Sequence, residues 1–295
     1  MLNRETQTQR GEVLTEMSGR DAWTFSQADF ESVALIAKTY FGLNLSRSKM
    51  ALIQSRLGQR MKQLGMSSFS DYLVRLQGPM AQDERTELLS VLTTNVTHFF
   101  REQHHFDALQ NTILLPLLKA AAEGQRVRLW SAGCSTGPEA FSLAMTILDL
   151  CPAANTWDLK ILATDIDPIV IKTAKVAQFP QTELDGIPRE LQTKYVTETG
   201  PSGVGEIKGK VRSMITFGVL NLIDPLPFHG PFDVVLCRNV AIYFDRVTQT
   251  KLWRTFSDVM APGCHLFIGH SEHLTGAAKS EFSKTGFTMY QRKGV

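Results

Sequence analysis

The stretch Val127-Arg-Leu-Trp-Ser-Ala-Gly-Cys-Ser-Thr-Gly-Pro-Glu139 decides the fold class. It opens on a short apolar run and continues through a loop of small residues, Ser131 to Gly137. Apolar residues then recur at helical spacing: Phe141, Leu143, Ala144, Ile147 and Leu148. Strand, glycine loop and helix in that order open a nucleotide-type pocket in an α/β sheet. The glycines let backbone approach a ligand, and the helix start offers free N–H groups. The full G-x-G-x-x-G spacing of a dinucleotide site is absent, so the later segments must identify the ligand.

Downstream, short β-rich runs alternate with helical patterns. Strands are predicted at 127–131, 160–164, 215–217, 232–237, 264–269 and 287–291, which argues for a mostly parallel sheet covered by helices. Between 179 and 213 the rhythm breaks. Gly200, Gly203, Gly205 and Gly209, with Pro201 and Ser202, predict turns in a small inserted hairpin unit. Upstream, from about 26 to 125, the pattern is helical. Ser26 with Asp29 forms a capping-box signature, and Gly42 and Gly65 are helix stops. A second helix starts at Ser46, two shorter ones follow at about 69–77 and 83–92, and a longer one runs from about 103 to 122. The expected organisation is a flexible leader (1–22), a helical domain (23–92), a linker and connecting helix (93–125), and an α/β domain (126–295) with an insert at about 180–214.

A chain of 295 residues with a net charge of +2 can bury a sizeable core and carries no global nucleic-acid signal. No apolar run is long enough to span a bilayer, and the polar N-terminus does not read as a secretory signal. Four scattered cysteines, Cys134, Cys151, Cys237 and Cys264, predict reduced thiols in a cytosolic protein.

Ligands in such sheets bind at the carboxyl ends of the strands, and four polar clusters fall there. Gly133 to Glu139 follow the first strand. Asp165 ends the second, where a carboxylate can accept from both hydroxyls of a ribose. Asn221-Leu222 follow the third and Arg238-Asn239 the fourth, leading to Ile242-Tyr243-Phe244. An adenosine-bearing ligand fits this set, with Asp165 on ribose, Asn221 and Leu222 beside adenine, and Asn239 facing the reactive end.

These segments, together with Thr93-Thr-Asn-Val-Thr-His-Phe-Phe-Arg101, Cys237-Arg-Asn-Val-Ala-Ile-Tyr-Phe244 and Gly269-His-Ser-Glu272, resemble the CheR family of chemotaxis receptor methyltransferases. The likeness runs from about Phe25 to the C-terminus. It implies a Rossmann-like S-adenosylmethionine-dependent methyltransferase domain, a small N-terminal all-helical domain and a small inserted β-subdomain. It also implies methylation of glutamate side chains on the cytoplasmic helices of methyl-accepting chemotaxis receptors. The cofactor residues implied are Asn95, Thr97, Arg101, Gly133, Glu139, Asp165, Asn221, Leu222, Arg238 and Asn239. Arg101 and Tyr243 are expected beside the transferring methyl group. One departure concerns the loop, which usually reads Gly-Glu-Glu-Pro-Tyr and here reads Gly137-Pro-Glu-Ala-Phe141. Glu139 keeps the second acid, and Pro138 suits a first helical position.

The chemistry agrees with that implication. A glutamate with an intrinsic pKa of about 4.3 is already an anionic nucleophile at neutral pH, so alignment and exclusion of water suffice. Lys49, Arg56 and Arg60 lie on one stripe of the second helix, beside an apolar face, and are expected to dock an acidic receptor helix. The insert falls where some family members bind a receptor C-terminal peptide by strand addition. His104 and His105 point about 100° apart on a helix and are not expected to share a metal; no metal is expected at His270 and His273 either. A monomer is expected, with no nucleic-acid partner and no membrane insertion. The competing readings are a nucleic-acid methyltransferase, disfavoured by the missing Asn/Asp-Pro-Pro-Tyr motif, a nicotinamide-dependent oxidoreductase, disfavoured by the glycine spacing, and a catalytically silent cofactor-binding regulatory module.

Overall fold

The computed structural model describes residues 25–78, 81–197, 200 and 203–294. The expected leader (1–22) and the turn residues Pro201 and Ser202 lie outside these. Helices α1 (Gln27–Phe41), α2 (Met50–Gln63, entered through a 3-10 turn at Arg47–Lys49), α3 (Phe69–Arg75) and α4 (Ala81–Leu92) form the N-terminal unit. The Ser26–Asp29 capping box closes the start of α1, and Gly42 at φ 73° ends it in the left-handed region. Helix α5 (Gln103–Ala108) passes through a π turn at Leu109–Ile113 into α6 (Leu114–Ala122). Pro116 accounts for the interruption, since it has no N–H for Thr112 and its ring crowds that carbonyl.

The α/β unit runs β1 (Val127–Ala132), α7 (Pro138–Leu150), β2 (Leu159–Asp165), α8 (Pro168–Val176), β3 (Gln178–Pro180), α9 (Gln181–Leu184), α10 (Arg189–Tyr195), β4 (Val204–Glu206), α11 (Gly209–Arg212), β5 (Ile215–Val219), β6 (Phe232–Cys237), α12 (Arg246–Asp258), β7 (Met260–Ile268), β8 (Phe282–Gly286) and β9 (Met289–Arg292). Seven strands form one sheet in the order β5-β2-β1-β6-β7-β9-β8. The first five in that order are parallel, and β8 and β9 make an antiparallel hairpin on the β7 edge. Strand order reverses between β1 and β6, which opens a crevice beyond their carboxyl ends.

Two expectations need correction. The last predicted strand, 287–291, begins inside a turn, and a strand before that turn was missed: Phe287 and Thr288 (φ 56°) connect β8 to β9. The insert is not a local hairpin. Strand β4 pairs antiparallel with β3, which lies before α9 and α10, so the glycine-rich segment enters β4 from a helix and its partner is more than twenty residues upstream.

Buried apolar residues form two clusters, one on each face of the sheet. The first joins α5, α6, α7 and the insert to one face. The second runs without a break from the N-terminal helices to Trp130, Val235 and Leu266 on the other face and on to Trp253 and Phe256 of α12. The helical unit is therefore seated on the sheet. Leu43 bridges Phe244, and the Asn44 N–H donates to the Tyr243 carbonyl at 2.7 Å. No described helix is long and apolar enough to cross a membrane.

Within the helical unit, Glu84 is buried (2% exposed) and accepts from Arg60 Nε and Nη2 at 3.0 and 2.9 Å and from Arg75 Nε at 3.2 Å. Burial alone would raise its carboxyl, but Arg60, Tyr72 and Arg75 together outweigh it and hold it below the ordinary value. The stabilisation is therefore present above pH about 4.5 and fades as pH falls through the lower folded value. Glu84→Ala is expected to lower stability by about 2–3 kcal/mol, the low side of a buried pair because Arg75 is half-exposed. Denaturant unfolding at pH 7 and pH 4 checks both the loss and its shrinkage in acid.

Candidate active site

Beyond the carboxyl ends of β1, β2 and β6 lies a cavity of about 470 Å³, within the range of small-molecule sites. Asn95, Thr97, Arg101, Gly133, Glu139, Asp165, Asn221, Leu222, Arg238, Asn239 and Tyr243 all line it. Lys49, Arg56 and Arg60 do not.

Gly133 has φ 91°, and a Cβ there would lie 2.2 Å from Val240 Cγ2, so only glycine lets the β1 loop pass under the β6 loop. Gly137 (φ 99°) turns the chain into α7, with Pro138 at its first position. Glu139 then points into the crevice, accepting from Ser131 Oγ at 2.6 Å and from Arg238 Nη1 at 3.1 Å. Burial pushes its carboxyl up, and Arg238 opposes that. Asp165 is likewise raised by burial. Each of its oxygens accepts one backbone N–H, from Ser135 at 2.8 Å and from Asp167 at 3.0 Å, which leaves a lone pair on each for a diol.

A strap at 93–97 crosses the mouth. Asn95 Nδ2 donates to Asp167 Oδ2 at 3.1 Å, and Ser135 Oγ donates to the Asn95 carbonyl at 2.9 Å. Arg101 Nη1 donates to the Val96 carbonyl at 3.1 Å, and Tyr243 Oη to the Thr94 carbonyl at 3.2 Å. Burial raises the Tyr243 phenol, so it remains a donor at neutral pH. Phe100 and Glu102 flank Arg101 with φ 53° and 56°, a kink that turns its side chain toward the strap. Asn221 Nδ2 donates to the Tyr40 carbonyl at 3.2 Å, which ties the β5 loop to α1.

The basic stripe is largely engaged within the molecule. Arg60 holds Glu84, and Arg56 donates to the Val91 and Thr93 carbonyls at 3.0 and 2.9 Å, bracing the strap. Lys49 is exposed, with Nζ 5.5 Å from the Tyr243 ring centroid. The histidine geometry also differs from the helical expectation. One ligand atom each of Glu102, His104 and His105 falls within 4.8 Å of the others, because Glu102 precedes α5 in a left-handed conformation. A cation there would face the Arg238 guanidinium, 3.3 Å from Glu102 Oε2. Desolvation holds His105 down at about 3, so it is a neutral hydrogen-bonding core residue, with Nε2 2.9 Å from Thr288 Oγ1. Cys134 and Cys237 are buried, and burial pushes both thiols up.

Sequence reasoning missed Thr94 and Ser135, although both lie inside the quoted motifs. It also missed Phe41 and Leu43, which reach the cavity from the helical unit. They had no local signal, because their role depends on how that unit docks.

Residues 95–291 match the family described as "CheR methyltransferase, SAM binding domain", and residues 28–93 the one described as "CheR methyltransferase, all-alpha domain". The chain belongs to the CheR methyltransferase family. A "Probable chemotaxis protein methyltransferase" of Rhizobium etli is 41% identical over 252 residues, 85% of this chain and 94% of that protein. The "Chemotaxis protein methyltransferase" of Salmonella typhimurium is 35% identical over 282 residues, 94% of each chain. That of Escherichia coli is 34% identical over the same length. The protein is thus an S-adenosylmethionine-dependent methyltransferase of the CheR type. The cavity is of a size and polarity compatible with that cofactor, with the carboxylates of Asp165 and Glu139 both on its wall.

Asp165→Ala is expected to weaken S-adenosylhomocysteine binding about tenfold or more, the value of hydrogen bonds to a charged group. Isothermal titration checks this, and an unchanged Kd would remove Asp165 from the ribose.

Proposed function

We propose that this enzyme transfers methyl groups from S-adenosylmethionine to glutamate carboxylates in the cytoplasmic helical region of methyl-accepting chemotaxis receptors. The products are glutamate methyl esters and S-adenosylhomocysteine. The observation that carries this reading is that Arg101 and Tyr243 both line the cavity and each donates to a carbonyl of the 93–97 strap. A guanidinium and a neutral phenol suit an anionic acceptor that needs no general base. The relatives' names, which specify chemotaxis, agree with it.

Asp165 would hold the ribose, Glu139 the methionine ammonium, and Asn221 and Leu222 the adenine edge. Asn95, Thr97, Gly133, Arg238 and Asn239 would complete the cofactor contacts. The bound cofactor supplies a sulfonium-activated methyl group. Arg101 orients the acceptor carboxylate, and Tyr243 directs its hydroxyl toward that carboxylate or lines the methyl path. Phe41, Leu43 and the strap exclude water. One acceptor oxygen forms the bond to carbon as the carbon–sulfur bond breaks, so no proton has to move.

Lys49, exposed beside Tyr243, is the stripe residue placed to steer a glutamate-rich helix to the mouth. A receptor C-terminal peptide adding as a strand to the insert would have to avoid the β4 edge at Glu206, where Thr197 already exchanges hydrogen bonds. The acceptor places the enzyme's work at the cytoplasmic side of the membrane.

Incubation with receptor-containing membranes and methyl-labelled cofactor should label a receptor-sized band, and mild base should release the label as methanol. Base-stable label would overturn the carboxylate assignment, and absence of label despite cofactor binding would favour a silent regulatory module. Arg101→Ala should lose methyl transfer on the order of 100-fold while staying folded; near-normal turnover would remove its role. Lys49→Glu should raise the receptor KM about threefold or more and leave cofactor affinity unchanged. Arg60→Glu should instead lower the melting temperature. Equal receptor kinetics in the Lys49 variant would show that residue to be merely solvated.

A further inference from the structure

Glu272 lies outside the cavity lining, yet it is buried (4% exposed) and its carboxylate is directed at backbone that carries site residues. Its Oε2 accepts the Asn239 N–H at 3.0 Å and the Gly269 N–H; its Oε1 accepts the Ile242 N–H at 3.2 Å. Asn239 stands at φ 61°, in the left-handed region that asparagine adopts more readily than other non-glycine residues. Two residues on, the chain enters the 3-10 turn Ala241–Tyr243, whose first hydrogen bond is Tyr243 N–H to the Val240 carbonyl at 3.1 Å. The carboxylate thus grips both ends of the segment between the cofactor-side Asn239 and the methyl-side Tyr243.

The end of β7 packs into the same cluster. A Cβ on Gly269 would lie 2.7 Å from both the backbone N and the Nδ2 of Asn239 and 2.9 Å from Glu272 Oε2. The end of β7 is therefore pressed against the β6 loop, and glycine is required for that approach. The Glu272 N–H closes the turn by donating to the Gly269 carbonyl at 2.9 Å. Burial raises the Glu272 carboxyl against the opposing backbone N–H groups.

We infer that Glu272 is a positioning residue for methyl transfer: by accepting the Asn239, Ile242 and Gly269 N–H groups it sets where the Asn239 side chain and the Tyr243 ring stand relative to one another. The inference rests on the roles proposed above for Asn239 and Tyr243. A carboxylate suits the task because it has two acceptor oxygens and no donor. An amide of the same shape would turn an N–H group toward at least one of the three donors.

Glu272→Gln tests this, assayed on receptor-containing membranes with S-adenosylmethionine. The expected result is a fall in kcat on the order of tenfold to a hundredfold, the consequence of a displacement of about 1 Å. Receptor KM should change much less, because Lys49 and the helical unit are untouched. Far-UV circular dichroism should stay unchanged, and amide hydrogen exchange should accelerate in the 238–243 segment but not in β1. Gly269→Ala forces Asn239 and the Glu272 carboxylate apart without removing either group, and should show the same kinetic pattern if the first variant fails to fold. Normal kcat in a folded variant, or exchange accelerated equally throughout the chain, would overturn the inference. Tyr243→Phe and Asn239→Ala, measured alongside, keep the two readings apart. Full turnover in both would overturn the roles of those side chains. Loss there with full turnover in Glu272→Gln would overturn the positioning role alone.

Discussion

Arg238 is a buried cation, its side chain 2% exposed, and a buried charge must be paired or the fold will not hold it. Its partners are Glu139 at 3.1 Å, Glu102 at 3.3 Å and the Arg101 carbonyl. Those three lie at the start of α7, the entrance to α5 and the segment that follows the strap. One guanidinium at the end of β6 therefore fixes the relative positions of three segments far apart in sequence. Glu102 extends the network, accepting from the His270 N–H beyond β7 at 3.2 Å. Glu139 and Arg101, both on the cavity wall, are thus positioned by the same residue.

The strap depends on a second set of constraints, supplied partly from the helical unit. Arg56 of α2 braces its first carbonyl, that of Thr93, and Ser90 of α4 reaches Asp167 at 2.6 Å, beside the Asn95 bond to the same oxygen. The continuous apolar cluster from Phe30 through Leu43 to Phe244 and Trp253 seats that unit firmly. The N-terminal helical unit consequently also shapes the wall of the cavity, through Phe41 and Leu43.

Much of this was legible in the chain. The central strands, the glycine turn with its proline start, the Ser26 capping box and the acid closing β2 each rest on local rules of periodicity, capping and turn chemistry, and each appears near its expected position. The site residues at the strand ends were readable because a parallel sheet brings its carboxyl ends together whatever the loops contain. The β8–β9 turn and the β3–β4 pairing were not, since a short strand has no signal apart from the partner it pairs with, and that partner is non-local.

Charge use was the least legible property. Lys49, Arg56 and Arg60 form one stripe in sequence, and helical geometry alone makes them equivalent. Only the docking of α4 and the strap separates them, giving Arg60 a buried carboxylate, Arg56 two carbonyls and Lys49 an open position near Tyr243. The same holds for Glu102 and Glu272, unremarkable as isolated acids, which each accept from residues at least thirty positions away: Glu102 from His270, and Glu272 from Asn239 and Ile242. Amino-acid order determined the layers, the pocket and the class of ligand, because these follow from local patterns repeated along the chain. Which charges are free, which are buried in pairs and which hold the catalytic loop was decided only by tertiary structure, because desolvation and hydrogen-bond geometry exist only once distant segments meet.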